Sequence, residues 1–463
     1  MAVEIPLAHD VLDEVGGEAI SSQAWPRSST AWFAAWAIAI TMCFVQLEAS
    51  VIQLLVQPIE HDLHINDSMV SLLQGLAPTF IYAVVAVPVS RYVDIWPRNV
   101  LISCGMAVAS CMTALCGLAQ NFWQLFACRL GQGLGGVVNG PAVISMLADY
   151  FPREKLPRAF FVMQIGGIGG VGIALIAGGA LIQLLQQLPT YTVPGIGEIH
   201  QWQLVFLAAS VPGFLIAALM RSVPEPARRG RTRDLTKAIP LKQVLSHLWQ
   251  HRAIYGPQFL ALGVSVIEFG GTAAWRPTFM IRTYHWSQAE AGYYLGLASL
   301  IGGPVGLLFC TWITEHFVRR GDNAANLRVV AITYSLSPIF TISTPLMPNP
   351  WLAVITTGIA TALQIGGSVP QSAALQSVTP NEMRGQVTAL YLFVFTVLGL
   401  GFGPTFIALI TNYVIGDQNL IRYALAGSAV VVTPIAGWIM WQGVKPYGQA
   451  ITEIKKRETR TFA

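Results

Sequence analysis

Long apolar stretches separated by short polar segments make up most of the 463-residue chain. A stretch of about 20 apolar residues is long enough to cross the hydrocarbon core of a bilayer as an α-helix. In hydrocarbon each backbone polar group needs a partner within the chain, which favours helices, and the alternating ten-residue segments of a membrane barrel are missing from the pattern. Twelve transmembrane helices are predicted, near residues 31–56, 68–90, 99–119, 122–150, 158–186, 202–221, 253–281, 289–314, 327–347, 350–376, 384–413 and 421–443.

Composition agrees with this pattern. Hydrophobic residues account for 54% of the chain and charged residues for 11%, whereas soluble domains carry about 25% charged residues. We therefore predict an all-α polytopic membrane protein embedded in a lipid bilayer. Its net charge of +4 reflects loops that face the cytoplasm, and we expect no nucleic-acid partner.

The basic residues predict the orientation. If the N-terminus is cytoplasmic, all but four of the 27 Lys and Arg residues fall in cytoplasmic segments, at cytoplasmic helix ends or in the C-terminal tail. Arg129 and Arg276 lie within predicted helices, and only Arg282 and Arg422 fall on the outer side. The positive-inside rule then places both termini in the cytoplasm, in a bacterial inner membrane or a plasma membrane. Residues 1–30 lack the apolar core of a cleavable signal peptide, so we expect the first helix to act as an uncleaved signal.

The chain divides into two sets of six helices at its longest hydrophilic interior segment. The predicted organisation is a cytoplasmic N-terminal segment (1–30), a first six-helix bundle (31–221), a central cytoplasmic loop (222–252), a second six-helix bundle (253–443) and a cytoplasmic tail (444–463).

The two halves share sequence at a constant offset of 221 residues. HINDSMVSLLQG (64–75) matches HWSQAEAGYYLG (285–296), and SRYVDIWPR (90–98) matches TWITEHFVR (311–319). A constant offset over this length indicates an internal repeat. A six-plus-six repeat places a binding site near the bilayer midplane between the halves, and rocking of the halves then exposes it to alternate sides.

The second repeated stretch predicts a gate at the cytoplasmic ends of helices 2 and 8. A carboxylate there can bind a helix N-terminus or an arginine and so latch one conformation. The alternative is that these are ordinary interfacial charges that mark topology. PNEMRG (380–385) and PREKLPR (152–158) form turns nearby. The predicted gate residues are Ser90, Asp94, Arg98, Glu315, Arg319 and Arg384.

These motifs resemble those of the major facilitator superfamily. SRYVDIWPR is similar to its helix 2–3 loop motif, RLGQGLGG (129–136) to its helix 4 motif, and WQLVFLAASVPGFLIAAL (202–219) to its helix 6 entry. The resemblance covers residues 30–445 and implies the major facilitator fold, with twelve transmembrane helices in two pseudo-symmetric six-helix bundles. It also implies a transporter.

Within the superfamily the chain looks most like the spinster-like branch, which includes sphingolipid and lysolipid transporters. The similar pieces include LLVQPIEHDLHIND, GLAQNFWQLFACRLGQGLGG and VTPNEMRGQVTALYLFVFTVLGLGFGP. Spinster-like proteins usually carry Asp-Arg in helix 1 and Gly-Glu-Ala in helix 4. Here the matching residues are Glu48-Ala49 and Gly135-Gly136-Val137, so the helix 1 arginine and the helix 4 glutamate are both missing.

Two acids lie at membrane depth in related positions. Glu48 is about 10 Å from the outer end of helix 1 at 1.5 Å per residue, and Glu268 lies near the middle of helix 7, the repeat partner of helix 1. Carboxylates at this depth are costly and usually functional. Desolvation favours the neutral form, so both acids are candidate proton-coupling sites facing a central cavity. A cationic substrate and a purely structural hydrogen bond are the alternatives.

Two arginines are also predicted at membrane depth. Arg129 is the candidate counter-ion of Glu48 and, by the resemblance, takes part in proton coupling; its alternative role is a packing anchor. Arg276 is predicted near the outer end of helix 7 at a cavity mouth, where it would bind an anionic head group or carboxylate. The alternative for Arg276 is snorkelling to the interface.

Amides and phenols complete the predicted cavity lining and favour a polar or amphiphilic organic substrate over a bare ion. The candidate site residues among them are Gln53, Asn139, Gln164 and Gln364, and softer candidates are Gln46, Gln74, Gln371, Tyr82 and Tyr334.

The sequence therefore predicts a secondary active transporter of a small organic or amphiphilic solute, working by alternating access with protons as the coupling ion. Two alternatives remain open: export of a lipid-like sphingoid or lysolipid, and import of an organic carboxylate. A non-transporting receptor or an enzyme belongs to a different class and is not favoured. HLWQH (247–251) lacks an evident third metal ligand, and there is no phosphate-binding loop. We expect no cofactor, no metal and a monomer.

Overall fold

The first half of the protein contains six long helices. The computed structural model describes residues 25–461 except 153, 189–190, 194–196, 229–239 and 381. The helices of this half are α1 (Ser28–Leu54), α2 (Asp67–Ser71, Leu72–Leu76 and Ala77–Ile95), α3 (Arg98–Cys116), α4 (Phe122–Tyr150), α5 (Leu156–Gln164, Ile165–Gly169 and Gly170–Leu185) and α6 (Gln201–Ser222). A short helix, Val56–Leu63, joins α1 to α2, and a small antiparallel hairpin pairs Tyr191–Val193 with Gly197–Ile199 between α5 and α6.

The second half repeats this arrangement. Its helices are α7 (Arg252–Tyr284), α8 (Gln288–Arg319), α9 (Ala325–Leu346), α10 (Pro350–Gly366 and Ser368–Val378), α11 (Arg384–Val394, Phe395–Phe402, Gly403–Leu409 and Ile410–Ile415) and α12 (Ile421–Thr461). A short helix, Leu241–Gln250, precedes α7, and a 3₁₀ turn, Gln418–Leu420, precedes α12. Within the described residues, eleven helices are long and apolar enough to span a membrane, and α4, with 29 residues, is the twelfth long helix. The predicted fold class is confirmed.

The backbone supports the predicted repeat. His64 and His285 are the two non-glycine residues with positive φ in the described chain, at 52° and 57°. They lie 221 residues apart, and each ends a helix in the left-handed conformation, before α2 and before α8. Asn66 caps α2 and Ser287 caps α8 by accepting hydrogen bonds from backbone N–H groups. The same turn chemistry therefore begins both helices.

Two predicted boundaries differ from the structure. α12 continues without a break through the segment that we expected to be a tail, and ends at Thr461. The predicted central loop contains the helix Leu241–Gln250, whose Val244 is fully buried. Both segments are polar, and a polar segment stays helical beyond the hydrocarbon when one of its faces still packs against the protein. The structure describes none of residues 1–24 of the N-terminal segment.

Glycines bring the two halves into backbone contact. A Cβ added to Gly75 in α2 would lie 2.5 Å from the carbonyl oxygen of Gly401 in α11, and one added to Gly172 in α5 would lie 2.6 Å from that of Gly296 in α8. No larger residue fits at such distances. Glycines at these positions therefore allow close helix contact between the halves.

The helices at this contact also change their local winding. α2, α5 and α11 each contain π-helical turns, at Leu72–Leu76, Ile165–Gly169 and Phe395–Phe402. A π turn widens the helix and disturbs the regular hydrogen-bond ladder, and such turns are frequent at functional sites.

The halves meet at one end of the molecule. We call the end that carries Val56–Leu63 the outer end and the opposite end the inner end, following the predicted orientation. A single buried apolar cluster at the outer end combines Val51, Leu54 and Leu73 of the first half with Trp275 and Phe279 of the second. The other buried clusters each belong to one half. The described conformation is closed at the outer end.

Candidate functional site

Glu48 lies inside the first bundle. Its side chain is in α1, the residue is 5% exposed, and its Oε1 accepts hydrogen bonds from the hydroxyls of Thr113 at 3.0 Å and Ser110 at 3.3 Å. Both hydroxyls are on α3, so the carboxylate points between helices of its own half. The side chain therefore does not face a cavity between the halves as expected. The hydroxyls of α3 replace the hydrogen bonds to water that a buried carboxylate oxygen loses.

Arg129 reaches Glu48 through a chain of side chains. Its guanidinium is 1% exposed and donates to the side-chain oxygen of Gln132, whose amide donates to the Thr113 hydroxyl at 2.6 Å. Arg129 also donates to the backbone oxygen of Glu48 at 3.4 Å. The predicted counter-ion therefore acts on the acid at a distance and through intermediates, instead of by a direct ion pair.

A further bond links Arg129 to α2. Its Nε donates to the carbonyl oxygen of Leu73 at 3.0 Å, within the π turn Leu72–Leu76. Because the π turn disturbs the hydrogen-bond ladder, this carbonyl is available to a side chain. Arg129 thus connects α1, α2 and α4 at one point in the first bundle.

Glu268 occupies the corresponding place in the second bundle. It is 1% exposed, and Oε1 accepts a hydrogen bond from the Thr272 hydroxyl at 2.9 Å. Oε2 is buried and has no hydrogen-bond partner in the described part of the protein. An incompletely bonded carboxyl at this depth is costly when ionised.

Arg276 is half-buried in the second bundle. Its Nη1 is 3.4 Å from the Thr361 hydroxyl, and no carboxylate lies within ion-pair distance in the described structure. It lines a small enclosed cavity between α7, α9, α10 and α12. The other lining residues are Thr272, Phe279, Thr341, Thr344, Pro345, Ala360 and Leu425. The half-buried side chain points toward Thr361 of α10, which does not favour snorkelling to the interface.

The predicted amides are spread out. Gln53 is half-buried and Gln164 is exposed. The side-chain oxygen of Gln364 is buried and has no hydrogen-bond partner among the described residues. The same holds for the side-chain oxygen and nitrogen of Gln74. The side chain of Asn139 lies outside the described residues.

Another polar chain joins α7, α9 and α10. The Ser265 hydroxyl donates to the Tyr334 oxygen, and the Tyr334 hydroxyl donates to Gln371, each at 3.1 Å. Sequence reasoning singled out Tyr334 and Gln371 individually but not Ser265, nor the partners Ser110, Thr113, Gln132 and Thr272 of the deep charges. Small hydroxyl residues in apolar helices are too common to stand out.

The predicted gate residue Arg98 is buried in the first half. It is 1% exposed and forms ion pairs with Asp149 of α4 at 2.5 Å and with Glu225 at 2.7 Å. Neither acid was predicted as its partner. The side chains of Ser90 and Asp94 lie outside the described residues. Arg98 therefore ties together α3, α4 and the segment after α6.

The second copy of the gate motif looks different. Glu315 and Arg319 lie 3.5 Å apart with side chains 61% and 81% exposed, so this pair contributes little stability. Arg384 donates to the backbone oxygens of Gln376 and Thr379 at the end of α10. In this conformation none of these three residues makes a described bond to the first half.

Comparison with known proteins agrees with this architecture. The family model described as Major Facilitator Superfamily matches residues 38–404, which is most of the chain. The protein belongs to the Major Facilitator Superfamily. Members of this superfamily are transporters, so the predicted class, and the expectation that the protein is not an enzyme, are confirmed.

Superfamily relatives include an "MFS-type efflux pump" of Mycolicibacterium smegmatis, 25% identical over 415 residues that cover 88% of this chain and 92% of the relative. The "Gallate transporter" of Pseudomonas putida is 25% identical over 359 residues, covering 72% of this chain and 74% of the relative. The "Benzoate transport protein" of Acinetobacter baylyi is 28% identical over 278 residues, covering 52% and 54%.

Among solved structures, a bacterial homolog of the human lysosomal transporter Spinster, in an inward-facing and unoccupied conformation, superposes with a TM-score of 0.72. It is 19% identical, and the match covers 93% of this chain and 99% of the other. At this identity the likeness establishes the fold. The predicted resemblance to the superfamily is confirmed, and a Spinster homolog is among the solved structures that share the fold.

Proposed function

We propose that this protein is a proton-coupled secondary transporter that moves a small organic carboxylate by alternating access. The observation that carries the proposal is a pair of buried acids, Glu48 and Glu268, one in each half and at related positions. Each accepts a hydrogen bond from a hydroxyl group, and no ion pair to either carboxylate occurs in the described structure.

The charge distribution favours cytoplasmic termini and a bacterial inner membrane or plasma membrane, and we expect a monomer.

Proton coupling follows from the balance of interactions at these acids. Hydroxyl groups can donate to an ionised carboxylate and also accept from a protonated one, so either form is accommodated without rearranging the helices. An ion pair would instead hold the acid in its charged form. Glu48 and Glu268 are therefore suited to take up and release protons as the halves move.

The carboxylate substrate class is supported by Arg276. Its guanidinium carries five donors, and the described structure gives it one bond, to Thr361 at 3.4 Å. Arginine binds carboxylates through paired hydrogen bonds. Relatives whose names specify gallate or benzoate transport support the same class, since both compounds are aromatic carboxylates.

Export of a lipid-like amphiphile is the second candidate. It is supported by the structural likeness to the Spinster homolog and by the relative named as an efflux pump, which covers more of the chain than the carboxylate transporters do.

Ligand-induced thermal stabilisation of the purified protein in detergent distinguishes the two candidates. The panel contains gallate and benzoate beside sphingosine and a lysolipid, and the variant is Arg276→Gln with Arg422→Gln as the matched control. Stabilisation by gallate or benzoate that is lost only in Arg276→Gln supports carboxylate transport. Stabilisation by sphingosine or the lysolipid that is equal in both variants supports the amphiphile instead.

Proton coupling is tested in proteoliposomes loaded with a pH-sensitive dye. Under an imposed substrate gradient of whichever compound stabilises the protein, we expect proton movement that is at least about tenfold smaller in Glu48→Gln. Glu198→Gln, an exposed acid near the outer end, is the control. Equal proton movement in wild type and Glu48→Gln would remove Glu48 from the coupling mechanism.

A further inference from the structure

Arg282 is an arginine on the side of the membrane where the charge pattern expects few. It lies near the outer end of α7, and it is one of two basic residues that break the predicted positive-inside distribution. Its side chain is 4% exposed, so it is not a solvated surface charge. A buried arginine needs compensating groups, because it does not lose its charge in proteins.

Two acids from the other half surround Arg282. Its Nη1 and Nη2 donate to the two carboxylate oxygens of Asp67 at 2.9 and 2.8 Å, which is a bidentate pair. Nη2 also donates to Glu60 at 2.7 Å, and Nη1 to the backbone oxygen of Gln418 at 3.0 Å. Asp67 is fully buried and Glu60 is 11% exposed. We call Glu60, Asp67 and Arg282 the outer triad.

The outer triad has one positive group and two acids. Glu60 Oε1 is buried and has no hydrogen-bond partner in the described part of the chain. The charged groups that act on Glu60 there are Asp67 and Arg282. On the short helix of Glu60 itself, Asp62 turns away to Trp202 and to His61, which is 87% exposed. One guanidinium cannot fully offset two carboxylates that are held together out of water.

A shared proton removes this imbalance. Burial, together with the negative charge of Asp67, raises the pKa of Glu60 above its usual range, against the opposing effect of Arg282. A protonated Glu60 carries an O–H group that can donate a hydrogen bond, and it no longer repels the Asp67 carboxylate. Two carboxyl groups that share one site commonly behave this way.

We propose that Glu60 and Asp67 form a second protonation site, which holds one proton while the outer end is closed and releases it when the outer end opens. This site is separate from Glu48 and Glu268. The proposal rests on alternating access, but not on proton coupling at the deep acids or on any substrate.

The position of the outer triad between the halves makes the proton depend on conformation. Glu60 and Asp67 belong to the first half and Arg282 to the second, so opening must separate them. Both acids then meet water, where an ordinary glutamate has a pKa of about 4.3, and the proton leaves. The closed form therefore binds more protons than the open form, and a falling pH favours closure of the outer end.

The test measures the distance between the halves by pulsed electron paramagnetic resonance. Spin labels are attached to Trp123→Cys in the first half and Tyr413→Cys in the second, both exposed at the outer end, after replacement of the six native cysteines. The sample is full-length protein in lipid nanodiscs without substrate. Titration runs from about pH 5, above the usual carboxyl pKa, to about pH 9.

We expect the closed-to-open ratio of the parent protein to fall as the pH rises, by at most about tenfold per pH unit, the limit for one proton. Glu60→Gln, which mimics the protonated form, is expected to lose this response and to stay closed at all pH values. Glu198→Gln should respond like the parent protein.

A ratio in the parent protein that does not change with pH would overturn the proposal. So would a response that persists unchanged in Glu60→Gln and also in Asp67→Asn, the second variant. Glu48→Gln should keep the full response, because its acid lies elsewhere. A loss in Glu48→Gln would instead assign the pH response to the deep acid, so that failure of this proposal is distinguishable from failure of the proposed function.

Discussion

The outer and inner ends of this transporter are held together by different means. At the outer end, groups from both halves meet in the buried outer triad, in glycine contacts and in one apolar cluster. At the inner end, Arg98 is buried just as deeply, but Asp149 belongs to its own half and Glu225 to the segment directly after α6, so neither acid comes from the second half. Burial of an ion pair therefore does not by itself indicate a gate. What matters is whether its members come from parts that move relative to each other.

The largest effect is expected from Arg98→Gln, which tests the intra-half role of Arg98. Removing the arginine from this buried ion pair deprives Asp149 and Glu225 of their shared guanidinium and costs about 3–5 kcal/mol. We expect a large drop in the midpoint of thermal unfolding in detergent. The distance between labels at the outer end should be unchanged in the protein that remains folded. A variant that unfolds normally but changes that distance would contradict the assignment to one half.

Gly172→Leu should affect the closed outer end more than the fold. The new side chain would meet the carbonyl of Gly296 and the Leu300 side chain, at 2.6 and 2.8 Å for its Cβ alone, so the two halves cannot approach. Spin-label distances at the outer end should then report a mostly open population. Gly427→Ala is the control, because a Cβ at that position has no neighbour within 4 Å.

Arg282→Gln should weaken closure of the outer end without preventing it. The loss of charge-assisted hydrogen bonds, worth about 1.5–3 kcal/mol each, is partly offset because Glu60 and Asp67 can take up protons. We expect an increase of about tenfold in the open-to-closed ratio near neutral pH, measured with the same labels. An unchanged ratio would show that the apolar cluster alone determines closure.

Glu315→Gln is expected to have the smallest effect. Glu315 and Arg319 form an exposed pair one helical turn apart, and such pairs contribute about 0.3–0.5 kcal/mol. The midpoint of thermal unfolding should stay nearly constant in the closed conformation described here. A marked loss of transport with unchanged stability would mean that this pair forms its bonds in another conformation, as the gate hypothesis predicts.

The fold could be predicted from the sequence because membrane helices are recognised by their length and hydropathy. The twelve helices, the repeat and the depth of Glu48 and Glu268 all followed from counting along the chain. The rotation of each helix about its own axis could not be predicted from the sequence in this way. It decides whether Glu48 faces the other half or α3, and it depends on where Ser110 and Thr113 provide hydroxyls.

Long-range partners were the second kind of information that the sequence did not contain. Arg98 is 51 residues from Asp149 and 127 from Glu225, and no local pattern links them. Arg282 differs from Arg98, because the positive-inside pattern already marked it as a basic residue on the outer side. An exception to the positive-inside rule was a signal that a buried partner exists, although it did not identify Glu60 or Asp67.

The hydrogen bond from Arg129 to the Leu73 carbonyl completes a short path of hydrogen bonds through the first bundle. From Glu48 the path runs through Thr113, Gln132 and Arg129 to the π turn of α2. Two residues further along that turn, Gly75 touches Gly401 of the other half. Glu48 is thus a few hydrogen bonds from the surface on which the halves touch, so under the proposed proton coupling a change at Glu48 would reach that surface over a short distance.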